Sequence, residues 1–382
     1  MMVHIRALAL ATACALASGA LTQPLTDAGV LHAAGQAAAP PAFLLVVPLQ
    51  PLRPDARGYP VQILRFSAAG TSQQLYRSFT VRADVRADAS IAISPDARWL
   101  AYSDSTATVH LVALGQGRDR LLGRRGAQPR FSFDGRYVAF LTGPIVPTPG
   151  SSGPQADRII VYDTRTATRR VIVAPSGQLI TGFAWAPRDE RLAWQLSDRA
   201  GHVLFALGAA DRSGTGRVVL RTQASTGGGL AWTPDGQGLL YWRFVGLRTT
   251  REGSLPYFAL LRWRVPAGPA TTLLPATPTL SGEGIPPAAV LDARGRYIAS
   301  LLGGPAGGRN QVIVFRRPRM LPQHIALPGE PRFLAFAPAD DQALVVWDAL
   351  RGTTMSSHAA LVDVRTARVH DLGPAMAAFW IG

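Results

Sequence analysis

The sequence predicts an all-β chain, a β-propeller of seven four-stranded blades closed by pairing of the C-terminal strand with the N-terminal blade. Three observations predict it. A turn of the form Ser/Thr-x-Asp-Gly-Arg, flanked by short apolar runs, recurs along the chain. No helical spacing of apolar residues appears in the body of the sequence. The first blade lacks a first strand, and the final apolar run, from Ala377 to Ile381, lacks a partner of its own. Composition agrees: 382 residues, 47% hydrophobic and 16% charged, supply a large core and exclude a disordered chain. Six or eight blades are the alternatives.

The elements follow in order. Residues 1–22 carry His4 and Arg6, then an uncharged run ending in small residues (Ala15, Ala17, Ser18, Gly19, Ala20). This reads as a secretory signal, or as a retained N-terminal anchor. The single cysteine, Cys14, lies inside it, which excludes an intrachain disulfide and a cysteine-based metal site. Residues 23–41, rich in Ala, Gln and Pro, read as a linker. The propeller domain is expected over 42–382. Its first blade has strands near 43–48, 61–66 and 73–79.

The repeat then appears as SPDARWLAY at 94–102, SFDGRYVAF at 132–140, APRDERLAW at 186–194, TPDGQGLLY at 233–241 and DARGRYIAS at 292–300. A degenerate sixth copy starts at Ala337-Pro338, so the mean spacing is about 49 residues, close to the ~40–50 of propeller blades. The chemistry is local: Pro presets the turn, Asp hydrogen-bonds nearby N–H groups, and Gly accepts a positive φ. A second hairpin follows in each unit, with Asp-x-Arg-Thr-Ala at Asp163 and again at Asp363. Trp185, Trp232 and Trp380 end first strands and read as inter-blade packing residues.

These Pro-Asp-Gly-Arg-x-Leu-Ala units resemble the TolB-like, WD-repeat-related propeller repeats of bacterial exported proteins, over residues 88–382. The resemblance implies the fold and an extracytoplasmic setting. It does not carry over TolB's partners, because only a linker precedes the propeller here. Nor does it carry over the peptidase activity of prolyl oligopeptidase-type enzymes, since no Gly-x-Ser-x-Gly elbow occurs.

Candidate site residues come from loop length. Second-to-third-strand loops and inter-blade loops share one face of a propeller, and the tight turns share the other. The long segments, 142–157, 244–256, 275–287, 303–310 and 348–359, all fall on the first face. Binding concentrates on loops held by a rigid scaffold. The candidates there are Asp198, Arg199, His202, Arg248, Arg251, Glu252, Arg309, Asn310, Asp348, Arg351 and His358. His202 and His358 occupy equivalent loops of two blades, but no His-x-x-x-His pair occurs, and neither a metal nor a cofactor is expected.

The net charge is +15, and all 39 basic residues are arginine. The surplus falls on tight turns and outer hairpins, for example Arg98, Arg118, Arg120, Arg136, Arg169, Arg170, Arg316, Arg317 and Arg368. The expected function is therefore an exported, non-enzymatic, monomeric propeller at the cell envelope. It would bind a protein or glycan through the long-loop face, with its Arg-rich face against an anionic membrane or cell-wall polymer. No nucleic-acid module is visible. The alternative is an extracytoplasmic carbohydrate lyase or hydrolase with a loop-built site at the channel mouth.

Overall fold

The computed structural model describes residues 42–49, 59–70, 73–81, 91–104, 106–143, 156–198, 203–209, 217–222, 230–250, 253–265, 268–276, 289–302, 310–317, 319–338, 341–351 and 354–381. The expected signal segment, 1–22, and the linker, 23–41, lie outside them. Blade one contains β1 (Ala42–Pro48), β2 (Tyr59–Ser67) and β3 (Gln73–Val81). Blade two is β4 (Ile91–Ile93), β5 (Trp99–Ser103), β6 (Val109–Ala113) and β7 (Arg118–Gly123). Blade three is β8 (Gly126–Phe131), β9 (Tyr137–Thr142), β10 (Arg158–Asp163) and β11 (Arg169–Val173). Blade four is β12 (Gln178–Trp185), β13 (Arg191–Asp198), β14 (Val203–Ala209) and β15 (Arg217–Thr222). Blade five is β16 (Ala231–Trp232), β17 (Gly238–Thr250), β18 (Gly253–Arg264) and β19 (Ala270–Leu274). Blade six is β20 (Val290–Leu291), β21 (Tyr297–Leu302), β22 (Gln311–Arg316) and β23 (Leu321–Ala326). Blade seven is β24 (Glu330–Phe336), β25 (Gln342–Arg351), β26 (Thr354–Asp363) and β27 (Arg368–Pro374).

The last strand, β28 (Ala377–Ile381), completes blade one in the order β28-β1-β2-β3. Ala42 pairs with Ile381 and Val46 with Ala377, so the tail of the chain supplies the missing first strand. All seven sheets are antiparallel and four-stranded.

The two-residue period of a strand explains how the blades hold together. In β1, Leu44 and Val46 enter a cluster with Ile91, Leu100 and Tyr102 of blade two. The alternate residues Phe43 and Leu45 enter a cluster with Leu344, Val346 and Leu361 of blade seven. Five further clusters join blades two and three, three and four, four and five, five and six, and six and seven. Every blade thus buries both faces, and the ring closes through apolar packing as well as through β28.

The recurrent turn is built as its residue types require. Ser94 Oγ donates to Asp96 Oδ1 at 2.6 Å, Asp96 Oδ1 accepts the Arg98 N–H, and Ser94 Oγ accepts the Trp99 N–H. Ser132, Asp134, Arg136 and Tyr137 repeat this set, and Thr233, Asp235 and Gln237 repeat its first two bonds. Gly135 sits at φ 71°, and a Cβ there would meet the Asp96 carboxylate at 3.3 Å, because consecutive turns nearly touch.

Ties between blades also follow the repeat. The Trp232 indole donates to the Ala184 carbonyl of blade four at 2.9 Å, Trp185 to Arg130 O of blade three, and Trp380 to Ala335 O of blade seven. The tight-turn arginines do the same work with charge. Arg136 pairs with Asp163 of its own blade and Glu190 of the next, Arg191 donates to Gly236 O, and Arg296 pairs with Asp341.

Two of the segments expected to be long loops are ordered differently. Residues 244–256 and 348–359 lie mostly within two β-ribbons, β17–β18 and β25–β26, whose pairing runs out to Thr250↔Gly253 and Arg351↔Thr354. These ribbons rise past their own sheets, so each strand needs only the other as partner.

Candidate functional site

Inner strands start at the long-loop face and end at the tight-turn face, so each residue has a defined height in the ring. At the long-loop face the described candidates are Asp198, Asn310, Asp348 and His358. Arg199, His202, Arg251, Glu252 and Arg309 lie outside the described residues, and for Arg248 and Arg351 only the strand position is described.

The structure brings Asp348 and His358 to neighbouring positions of the β25–β26 ribbon, on opposite sheet faces: Asp348 pairs with Ser357, and Trp347 with His358. On one face Asp348 Oδ1 accepts from Ser357 Oγ at 2.7 Å and from Arg332 Nη2 at 2.5 Å, and Arg332 also donates to Ser357 Oγ. Both charged side chains are 14% exposed. On the other face His358 stacks on Trp347 with centroids 5.6 Å apart, and its buried Nδ1 has no hydrogen-bond partner among the described residues. Asp198 closes β13 opposite Gln178 of blade four, and Asn310 precedes β22 of blade six with a buried Oδ1 that has no partner among the described residues. These two stand in other blades, and the structure places neither in the Asp348 cluster. Arg332 and Ser357 are the residues that loop length missed. The available signal was a guanidinium inside an otherwise apolar stretch of a first strand, Pro331-Arg332-Phe333-Leu334.

The tight-turn face carries a cleft of about 480 Å³ between blades one, two and three. Its floor includes the half-buried Trp99. Tyr76 of β3 closes one side and donates its hydroxyl to Ala97 O at 3.0 Å. Arg98, Arg136 and Arg165 border it, with Asp96, Asp134 and Gln116. The carboxylates are engaged by their own turns, as described above. Arg136 is engaged by Asp163 and Glu190. Arg98 is different: its side chain is 80% exposed and, among the described residues, reaches only Asp96, at 3.6 Å. The Arg165 side chain is exposed and has no ion partner among the described residues. The cleft thus offers two aromatic rings beside two guanidinium forks, a combination suited to sugar faces and acidic groups.

No protein-family model and no curated protein matches the sequence. Solved structures do match, at the level of fold. A candidate 6-phosphogluconolactonase from Bacteroides uniformis superposes with a TM-score of 0.55 at 15% identity, covering 89% of this chain and 99% of that one. Hydrazine synthase of Kuenenia stuttgartiensis gives a TM-score of 0.54 at 14% identity, covering 87% and 97%. TolB from Acinetobacter baumannii gives 0.44 at 16% identity, covering 86% and 79%.

Proposed function

We propose that this propeller is an exported, non-enzymatic binding module of the cell envelope. Its partner, a protein or glycan segment bearing acidic groups, seats in the tight-turn cleft. The observation that carries the reading is the cleft itself: Tyr76 and Trp99 supply flat apolar surface, and Arg98 and Arg165 supply forked donors not spent on other blades. The net charge of +15 draws such a partner toward the molecule. Residues 1–22 support export, as a signal or an anchor.

A second reading keeps binding on the long-loop face, around Arg332, Asp348 and Ser357. The hydrogen-bonded cluster of Arg332, Asp348 and Ser357, each from a different strand of blade seven, favours it.

Affinity capture from the native envelope, with bound material identified by mass spectrometry, separates the two. Tyr76→Ala with Arg98→Ala and Arg165→Ala is expected to lose the captured partner, and Asp348→Asn to retain it. The reverse pattern would establish the long-loop reading instead.

A further inference from the structure

The wall of the central channel is made by the seven innermost strands, β28, β4, β8, β12, β16, β20 and β24. Their residues are almost all apolar or small. Only Arg130, Glu330 and Arg332 carry charge. Arg332 is neutralised by Asp348. Glu330 opens β24 at the long-loop end of blade seven, whereas Arg130 is the fifth of six residues in β8, toward the other end of blade three. Arg130 therefore stands in the wall without a carboxylate partner among the described residues.

Its placement is specified by local structure. Between Ala127 and Arg130 the β8 register shifts against β9: Ala127 faces Leu141, while Arg130 faces Ala139. This is a bulge, and it contains Gln128 at φ 54° and Pro129. Bulges re-aim the side chains that follow them and are concentrated next to functional sites. The Arg130 carbonyl is held by the Trp185 indole at 3.0 Å, and its guanidinium carbon lies 5.9 Å from the centroid of the Phe183 ring. The side chain is solvent-accessible, yet enough protein surrounds it that desolvation lowers its pKa from the usual arginine value. Low-dielectric walls around an uncompensated cation strengthen its field for an incoming anion.

We propose that Arg130, backed by Phe183 and clamped through Trp185, is the binding site in the channel for a small oxyanion, a phosphate or carboxylate group taken up by the guanidinium fork. The site lies apart from the tight-turn cleft and stands whether or not the cleft binds a partner.

The test uses the whole chain titrated with inorganic phosphate and, separately, with acetate, against chloride at matched ionic strength, by calorimetry and thermal unfolding. Saturable binding of either anion is expected. Arg130→Gln should weaken it at least tenfold, and Arg294→Gln, at an exposed turn of blade six outside both sites, should leave it unchanged. Preference for phosphate over acetate identifies a phosphorylated ligand, and the opposite preference a carboxylate one. In parallel, phenylglyoxal labelling mapped by mass spectrometry on the unmodified sequence should show Arg130 protected by the bound anion. That arm keeps the test decisive if Arg130→Gln does not fold. Wild-type affinity in Arg130→Gln, no saturable binding of either anion, or equal labelling of Arg130 with and without anion would each overturn the assignment.

Discussion

Asp163 shows how much of this fold rests on single carboxylates in turns. Its Oδ1 accepts the N–H groups of Arg165 and Thr166, and its Oδ2 accepts Arg136. Burial alone would raise its pKa. The two turn N–H groups and the Arg136 guanidinium outweigh that and hold the carboxyl below the usual aspartate value. A carboxyl depressed in the fold stabilises it above the unfolded pKa of about 3.9, and that contribution is lost as pH falls through the lower folded value. Asp163→Asn leaves Arg136 half-paired and should cost about 2–3 kcal/mol at pH 7. Urea titrations at pH 7 and pH 2 check it: the gap between variant and wild type should close at the acid end. A gap that persists unchanged there would mean the carboxylate charge is not what stabilises the turn. The turn was legible from Asp-Thr-Arg-Thr-Ala because the bonds its carboxylate accepts from the turn, from the Arg165 and Thr166 N–H groups, close within three residues. The reach of Arg136 from a different hairpin was not.

At the scale of elements, the inter-blade tryptophans set the ring together. Trp232 is 8% exposed, with Arg191 of blade four 5.0 Å from its ring centroid and its indole N–H on Ala184 O. Trp232→Phe keeps most of the apolar area but leaves that carbonyl without its donor, so a loss of about 1–3 kcal/mol is expected. A lowered thermal midpoint with an unchanged single transition would show it; an unaltered midpoint would show that water replaces the indole. The sequence placed these residues at strand ends but left their partner open, because that partner lies 45 to 55 residues away in chain. The β17–β18 ribbon illustrates the opposite error. Residues 244–256 read as a long loop, yet Pro256 pairs with Leu247 inside the ribbon. Proline is excluded from a strand flanked on both sides, and β19 begins to pair with β18 only from Leu260. Past that point no third strand pairs with the ribbon among the described residues, and proline is tolerated there.

For the whole molecule, closure is the decisive feature. β28 supplies Ala378 to the cluster between blades seven and one and Ile381 to the cluster between one and two. Ending the chain at Met376 removes both contributions and leaves the edge of β1 open, a template for intermolecular pairing. The truncated chain is expected to lose its cooperative unfolding transition and to aggregate on size exclusion. A circular permutant with a short turn from Ile381 to Ala42, already paired neighbours, should fold as a stable monomeric ring. A truncated chain that unfolds like the full one would show that seven clusters are not needed to hold the ring.

By itself the sequence determined the hairpins, the repeat and the tail-to-head closure. Each depends on residue types a few positions apart, or on a strand visibly short of a partner. Only the tertiary structure decided where the arginines act: Arg136 and Arg332 consumed by carboxylates brought from elsewhere, Arg98 left at a cleft, Arg130 set beside Phe183 of the next blade. The reason is that a side chain's charge balance is set by the neighbours that the ring assembles, and those are separated by whole blades along the chain.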